Sequence, residues 1–360
     1  MYLEHFGLSA QPFRLTPDSD FLFMSQSHSR AKVYMDYTVW NREGFVVITG
    51  DIGCGKTTLI QKLLSELNEN VLVAKIFQTQ LDEVEFLQAV LVEFGLNPFN
   101  AKKVELLDML NNFLIEQFLQ RKQIVLIVDD ANNLSMKVLE EIRMLAGLET
   151  RKEKILHVIL VGQPQLIEML DHPDMQQLMQ RVKLRYHIRA LTDQEVGDYV
   201  RHRLSIVGAS NRMLFLPETL PFIYRYAGGI PRLINVLCDT ALTCAYADNL
   251  RAVTTGVMEA AVKELQWPTY SERVEKNRFR MKGDLAEGGM RGVLREQSQM
   301  LSAIVAQVSK IEERSPVLES IGKSLAAIER HLQSLVQGRS VQQVEPGPKA
   351  DRQDRQAKSS

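Results

Sequence analysis

Cysteine is scarce in this chain: Cys54, Cys238 and Cys244 are the only three in 360 residues. Their spacing matches neither a disulfide framework nor a metal-ligand motif, which removes cross-linking and thiolate metal sites as organising features. A surplus of charge is lacking as well. Lysine plus arginine number 43 against 44 aspartates plus glutamates, so no whole-molecule field draws the chain to nucleic acid or anionic lipid, and only local patches can do so. No apolar run approaches the roughly 20 residues of a transmembrane helix. At the N-terminus Glu4 and Pro12 interrupt the stretch where a signal peptide would need its apolar core. These absences lead us to expect a cytoplasmic protein without direct membrane insertion. With 45% hydrophobic residues and this length, two or three domains can each bury a core.

What is present centres on Phe45-Val-Val-Ile-Thr-Gly50-Asp51-Ile52-Gly53-Cys54-Gly55-Lys56-Thr57-Thr58. An apolar run breaks into glycines and ends on a lysine and two hydroxyls, so it reads as a buried strand, a phosphate-cradling loop and the start of a helix. Gly50 and Gly53 let the backbone turn its N–H groups inward, Gly55 permits close approach of a phosphate, and the helix adds its positive end. Lys56 reaches the β- and γ-phosphates in this reading, and Thr57 holds Mg²⁺. With glycine at about 7% of an average chain, the pattern arises by chance in roughly one chain of this length in a hundred. The strand before it, and Leu59, Leu63 and Leu64 on one helix face after it, make chance rarer still. Cys54 reads as filler with no part in the chemistry.

Residues 1–44 carry Phe6-Gly7-Leu8, Pro12-Phe13, Thr16-Pro17-Asp18 and Phe21-Leu22-Phe23 before any regular periodicity, and are expected to pack on the core and to wall a base pocket. His5 and His28 read as structural polar residues. Ser27 to Arg42 reads as a helix feeding the first strand. Strands at 71–77 and 123–128 alternate with helices at 84–94 and 106–119, as a parallel sheet requires. The third strand ends on Asp129-Asp130, and a carboxylate at that end of a central parallel strand is placed to serve as a Mg²⁺ ligand beside the loop. A helix over 134–148 leads to a strand at 155–161, closed by Gly162-Gln163-Pro164. Gln163 either orients an attacking water or is a turn amide. After a helical stretch over 166–179 with a break at His172-Pro173, Arg181, Lys183, Arg185, His187 and Arg189 alternate with Val182, Leu184, Tyr186 and Ile188. That is a period-2 strand with one basic face, for which guarding a sheet edge is the simplest account.

Residues 191–268 read as a small all-helical domain: Thr192 to Glu195 has capping-box spacing, a second helix covers 218–226, and Gly228-Gly229-Ile230-Pro231-Arg232 opens a third that runs to Ala247. Residues 269–292 read as a linker. Over 293–337 apolar residues recur at 3 and 4 spacing with a phase shift after Pro316, which fits a dimerising or partner-binding coiled coil or a hairpin folded on itself. Disorder is expected over 338–360.

Phe6-Gly-Leu with Pro12-Phe13, Thr16-Pro-Asp18, Gly44-Phe45, Val161-Gly-Gln-Pro164 and Gly228-Gly-Ile-Pro-Arg232 together resemble the AAA+ ATPases of the ExeA, or general secretion pathway protein A, type, particularly those of exosortase and exopolysaccharide loci. The resemblance covers roughly residues 1–268. It implies an α/β P-loop NTPase core at 45–190, with a parallel sheet sandwiched by helices, then a helical lid and a coiled-coil-like tail. It also implies ATP and Mg²⁺ as ligands, a homo-oligomer through the AAA+ interface, and a protein partner in an envelope export system. By the same resemblance Asp129 is the Walker B aspartate, Asp130 the water-activating acid, Gln163 sensor 1, Arg232 the sensor 2 arginine and Arg181 the arginine finger. Asp130 stands where glutamate is commoner, and Asn132 where glutamine is, which implies slow hydrolysis. Two rival readings remain open at this point: a DNA-associated ATPase of the transposition-helper kind, not favoured by the near-neutral composition, and a nucleotide-gated scaffold that scarcely hydrolyses.

Overall fold

A computed structural model describes residues 2–41, 44–150, 153–210 and 212–276. Five strands, β1 (Phe45–Gly50), β2 (Val71–Ile76), β3 (Gln123–Val128), β4 (Leu156–Gly162) and β5 (Val182–Ile188), form one sheet in the order β2-β3-β4-β1-β5. Every pairing is parallel, so each connection must cross over and carry helix. Helices α1 (Tyr2–Phe6) and α2 (Gln26–Trp40) precede the sheet. The crossovers hold α3 (Lys56–Glu66), α4 (Glu83–Glu93), α5 (Lys103–Leu119), α6 (Met136–Leu145), α7 (Gln165–Leu170) and α8 (Gln176–Met179). After the sheet come α9 (Asp193–Ile206), α10 (Thr219–Ala227), α11 (Pro231–Ala247) and α12 (Thr255–Glu264).

The central strands are continuous apolar runs because both sheet faces are covered. Phe45, Val47, Leu126 and Val128 point into the layer that holds α4, α5 and α6, whereas Val46, Ile48, Val125 and Ile127 meet α2 and α3. This places the C-terminal ends of β1, β3 and β4, and so the phosphate loop, Asp129 and Gly162, along one edge of the sheet. Strand β5 is an edge strand on which Lys183, Arg185 and His187 are exposed in alternation. Two of its cations are engaged locally: Arg185 pairs with Asp171 at 3.1 Å and Lys183 lies over the ring of Tyr37. Arg181 precedes the strand.

The N-terminal segment departs from the expectation that it packs on the α/β core. Phe6, Leu8, Phe13 and Phe21 join the core of the helical domain, among Tyr199, Leu204, Phe215, Leu237 and Leu242. Arginines fix the segment there by donating to its carbonyls: Arg203 to Pro12 (2.5 Å) and Arg14 (3.0 Å), Arg212 to Phe6 (2.6 Å) and Arg251 to His5 (2.8 Å). On the α/β side this part of the chain contributes Leu22, packed beside α3, and then α2. Helix α12, not singled out from the sequence, completes the domain by packing on α10 and α11. The domain is locked to the sheet connection at Gly229, which has φ +73° and whose Cβ, were there one, would stand 2.0 Å from the carbonyl oxygen of Leu191. Its own carbonyl accepts from the Leu191 N–H at 2.9 Å.

Contacts divide the chain into two units, residues 1–271 and 272–360, and the sheet and helical domain belong to the first. Within the stretch read as a linker, residues 270–276 are helical. The rest of that stretch, the coiled-coil-like region at 293–337 and the tail at 338–360 lie outside the described residues. Among the described residues no helix is long and apolar enough to cross a membrane.

Candidate functional site

Strand β1 ends at Gly50, and the chain turns through Asp51, Ile52, Gly53, Cys54 and Gly55 into α3. Gly53 and Gly55 hold φ of +84° and +87°, a conformation that L side chains rarely adopt. Space is closed at the first of them: a Cβ on Gly53 would lie 2.6 Å from Cβ of Arg232. Asp51 and Ile52 are exposed on the loop's outer side, while Cys54 is buried. Burial lifts its thiol to about 11, so it stays protonated and inert at neutral pH. Lys56 folds across the loop, its ammonium donating to the carbonyls of Gly50 (2.9 Å) and Asp51 (3.1 Å).

At the foot of the loop the Thr57 hydroxyl donates to Asp129 Oδ2 at 2.6 Å, and Asp129 Oδ1 accepts the Asp130 N–H at 3.0 Å. Asp129 is only 3% exposed. Burial pushes its carboxyl above the usual range, as does the neighbouring Asp130 charge, against the Thr57 hydrogen bond and the Lys56 charge. A buried carboxylate in contact with a threonine hydroxyl is a hard oxygen pair that suits Mg²⁺ together with phosphate oxygens, and a divalent cation would relieve the desolvated charge. Among the described residues no cluster of three or more His, Cys, Asp or Glu offers another metal site.

Asp130 is exposed and takes left-handed backbone angles (φ +50°, ψ 38°), which end β3 and start the 3-10 turn Ala131–Asn133. Asn132, in that turn, accepts the Gln163 N–H on its Oδ1 at 2.8 Å. The contact ties the end of β3 to the end of β4, and it needs Gly162 between them, since a Cβ there would meet Asn132 Oδ1 at 3.1 Å. Read from the sequence, Asn132 was only a departure from the family pattern. In the fold it positions Gln163.

Arg232 opens α11 with its N–H donating to the Gly53 carbonyl at 3.2 Å. Its guanidinium has no hydrogen-bond or ion-pair partner among the described residues. A cavity of about 480 Å³ gathers Gly53, Gly55, Lys56, Thr57 and Thr58 with Asp130, Gln163 and Arg232, a size typical of sites for ligands of this class. Its far wall is built from Thr16-Pro17-Asp18, Phe21, Leu22 and Phe23 of the N-terminal segment, with Tyr199, Arg203 and Asn235 of the helical domain. Arg181 is not part of that lining. Its Nη1 donates to the Arg143 carbonyl at the end of α6, at 2.9 Å, away from this chain's own phosphate loop.

His28 also belongs to the site, a role beyond the structural one expected of it. Its Nε2 lies 2.8 Å from the Cys54 carbonyl and its Nδ1 2.7 Å from Ser25 Oγ. No local pattern marks it, because its partner is a backbone oxygen 26 residues away.

A family model described as an AAA domain matches residues 40–170. The chain is 39% identical over 266 residues to general secretion pathway protein A of Aeromonas hydrophila, which covers 74% of this chain and 48% of that protein. The chain thus spans about half the length of the curated relative it matches. In fold it is similar to the ORC2 protein of Aeropyrum pernix, solved in ADPNP and ADP complexes, at TM-score 0.56 and 16% identity over 71% of this chain and 72% of that one. It is similar as well to Cdc6p of Pyrobaculum aerophilum, at TM-score 0.55 and 17% identity over 73% and 70%. At such identities these two speak to the fold alone. The parallel sheet, the phosphate loop at its edge and the extended match in sequence agree: the chain has an AAA+ P-loop NTPase fold and is similar over these residues to general secretion pathway protein A.

Proposed function

We propose that the chain binds MgATP and hydrolyses it by in-line attack of water, and that turnover energises or regulates assembly of an envelope secretion or exopolysaccharide export system. One observation carries the chemistry: a single cavity wall holds the phosphate loop, an exposed carboxylate at the end of β3, a fixed glutamine at the end of β4 and an unpartnered arginine. In this reading Lys56 exchanges its two carbonyl partners for phosphate oxygens. Thr57 and Asp129 hold Mg²⁺, which when bound neutralises charge on the phosphates. Asp130 takes the proton of the attacking water, and Gln163, its backbone anchored by Asn132, orients that water through its amide. Arg232 meets the charge that develops on the terminal phosphate. Arg181, turned away from its own cavity, completes the site of a neighbouring subunit, which makes the active form an oligomer. The export role is supported by the sequence relative, and its protein partner is assigned to the helices expected at 293–337.

Lys56→Ala tests the central step. It should abolish binding of a labelled ATP analogue while the far-ultraviolet circular dichroism stays unchanged, whereas Asp130→Asn should bind ATP and lose turnover. Undiminished affinity in the first variant would remove the nucleotide reading; a parental rate in the second would assign the base elsewhere.

A further inference from the structure

We propose that Asn235 reads the nucleotide base by donating an amide hydrogen to an unprotonated ring nitrogen of adenine; the inference rests on the ATP reading above. Asn235 lies three residues after Arg232 on α11, so the two side chains share one helix face. The start of α11 abuts the phosphate loop through the Arg232 to Gly53 hydrogen bond. With phosphates at Lys56, the nucleoside extends along this face away from the loop. There the cavity is walled by Leu22, Phe23 and Tyr199, an apolar and aromatic slot that suits a flat base better than a sugar.

The neighbours of Asn235 fix which end of its amide faces the cavity. The Tyr199 hydroxyl lies 2.7 Å from Asn235 Oδ1. The Arg203 guanidinium carbon lies 5.9 Å from the Tyr199 ring centre, so a fixed positive charge stands beside the phenol. A guanidinium can only donate, and a phenol has one hydrogen. The hydroxyl therefore turns its lone pairs to Arg203 and its hydrogen to Asn235, which must answer with oxygen. Nδ2 and its two hydrogens are left for the cavity, and no described residue accepts from them. Asn235 is 6% exposed and lines the cavity, so its Nδ2 hydrogens can be answered there by an acceptor on a ligand. Adenine offers only acceptors at its free ring nitrogens, whereas guanine carries a hydrogen on N1.

The test is equilibrium binding of ATP and its 1-deaza, 3-deaza and 7-deaza analogues to the full chain and to Asn235→Asp. Aspartate keeps the oxygen that Tyr199 needs and removes the donor. The native chain should bind one of the three analogues about tenfold more weakly than ATP. Asn235→Asp should bind ATP about tenfold more weakly and that analogue no worse than ATP. Equal losses in both proteins would overturn the proposal, and so would a loss seen only with 2′-deoxy-ATP and cancelled by the substitution, which would place Asn235 on the ribose. Should Asn235→Asp fail to fold, the native series decides by itself: a tenfold loss on one analogue supports the contact, and affinity unchanged by all three replacements overturns it. A native chain that binds no ATP at any concentration would instead sink the ATPase reading, and this inference with it.

Discussion

A single buried imidazole couples the stability of this fold to the shape of its phosphate loop. His28 is 2% exposed, and because a carbonyl cannot donate, the 2.8 Å contact with Cys54 places its hydrogen on Nε2. Nδ1 then accepts from the Ser25 hydroxyl at 2.7 Å, while Ser25 Oγ accepts the His28 N–H at 3.2 Å. His28→Ala leaves the buried Cys54 carbonyl without this donor and the Ser25 hydroxyl hydrogen without its acceptor, though Ser25 Oγ still accepts the backbone N–H of residue 28, at about 1–3 kcal/mol for each lost partner when neither relaxes. Allowing for partial relaxation, a loss of about 2–4 kcal/mol is expected in urea unfolding, with ATP affinity weakened about tenfold as the untethered loop must be ordered on binding. The pH dependence identifies the cause. Burial pushes His28 below the ordinary imidazole value, against the Cys54 hydrogen bond and the Glu195 charge. The unfolded chain therefore takes up its proton first, near 6.5. The contribution of His28 to stability is complete above that pH and declines as pH falls toward the folded value, by at most about 1.4 kcal/mol per pH unit. The stability gap between the native chain and His28→Ala should thus narrow on acidification from pH 8 to pH 5. His202, also lowered by burial, has the same sign in both proteins and cancels in the difference. A gap that is constant with pH, or a variant as stable as the native chain, would refute the tether.

Two alanine substitutions at glycines of equal φ separate backbone strain from crowding at the site. Gly208 has φ +85° with nothing within 4 Å of an added Cβ, whereas at Gly53 (φ +84°) that atom would meet Arg232 at 2.6 Å. Gly208→Ala should cost about 1–2 kcal/mol in urea unfolding and Gly53→Ala more, because α11 must back away from the loop, and only Gly53→Ala should weaken ATP binding, by tenfold or more; equal affinities would refute the crowding argument. For Arg181, loss of the hydrogen bond to the Arg143 carbonyl is worth about 0.5–1.5 kcal/mol of stability, whereas a cation supplied in trans is worth about 10³ to 10⁵ in rate. Arg181→Ala mixed with Lys56→Ala should regain ATPase activity that rises with total protein, and no recovery at any ratio beside normal turnover by Arg181→Ala alone would leave it a helix-end contact.

What could be read from the sequence follows from how local each cause is. The phosphate loop was legible because its glycines, lysine and threonine act through their own backbone turn, with Gly53 and Gly55 in the angles that only glycine adopts readily. The strands β1, β3 and β4 were legible as mostly apolar runs that end on or just before glycine or aspartate, and the parallel sense of the sheet followed from alternation with helices. The N-terminal segment was not, because it has no periodicity and its contacts lie far along the chain: Arg203 and Pro12 are 191 residues apart, Arg251 and His5 246. For the same reason Asn132 looked like a departure and His28 like an ordinary structural polar residue, since each acts on a backbone group of another element. This division has a consequence for how the site works. The phosphate end of the cavity is held by one continuous stretch of β1 and α3, but the far end joins residues 16–23 to Tyr199, Arg203 and Asn235, all within the helical domain's own core or its N-terminal clasp. Movement of that domain about its chain connections to the sheet, just before α2 and between β5 and α9, would therefore carry the wall, Asn235 and Arg232 together, and leave Lys56, Thr57 and Asp129 in place. On the proposed reading, a nucleotide bound across both ends would resist such movement, and the orientation of the helical domain would report occupancy of the phosphate loop.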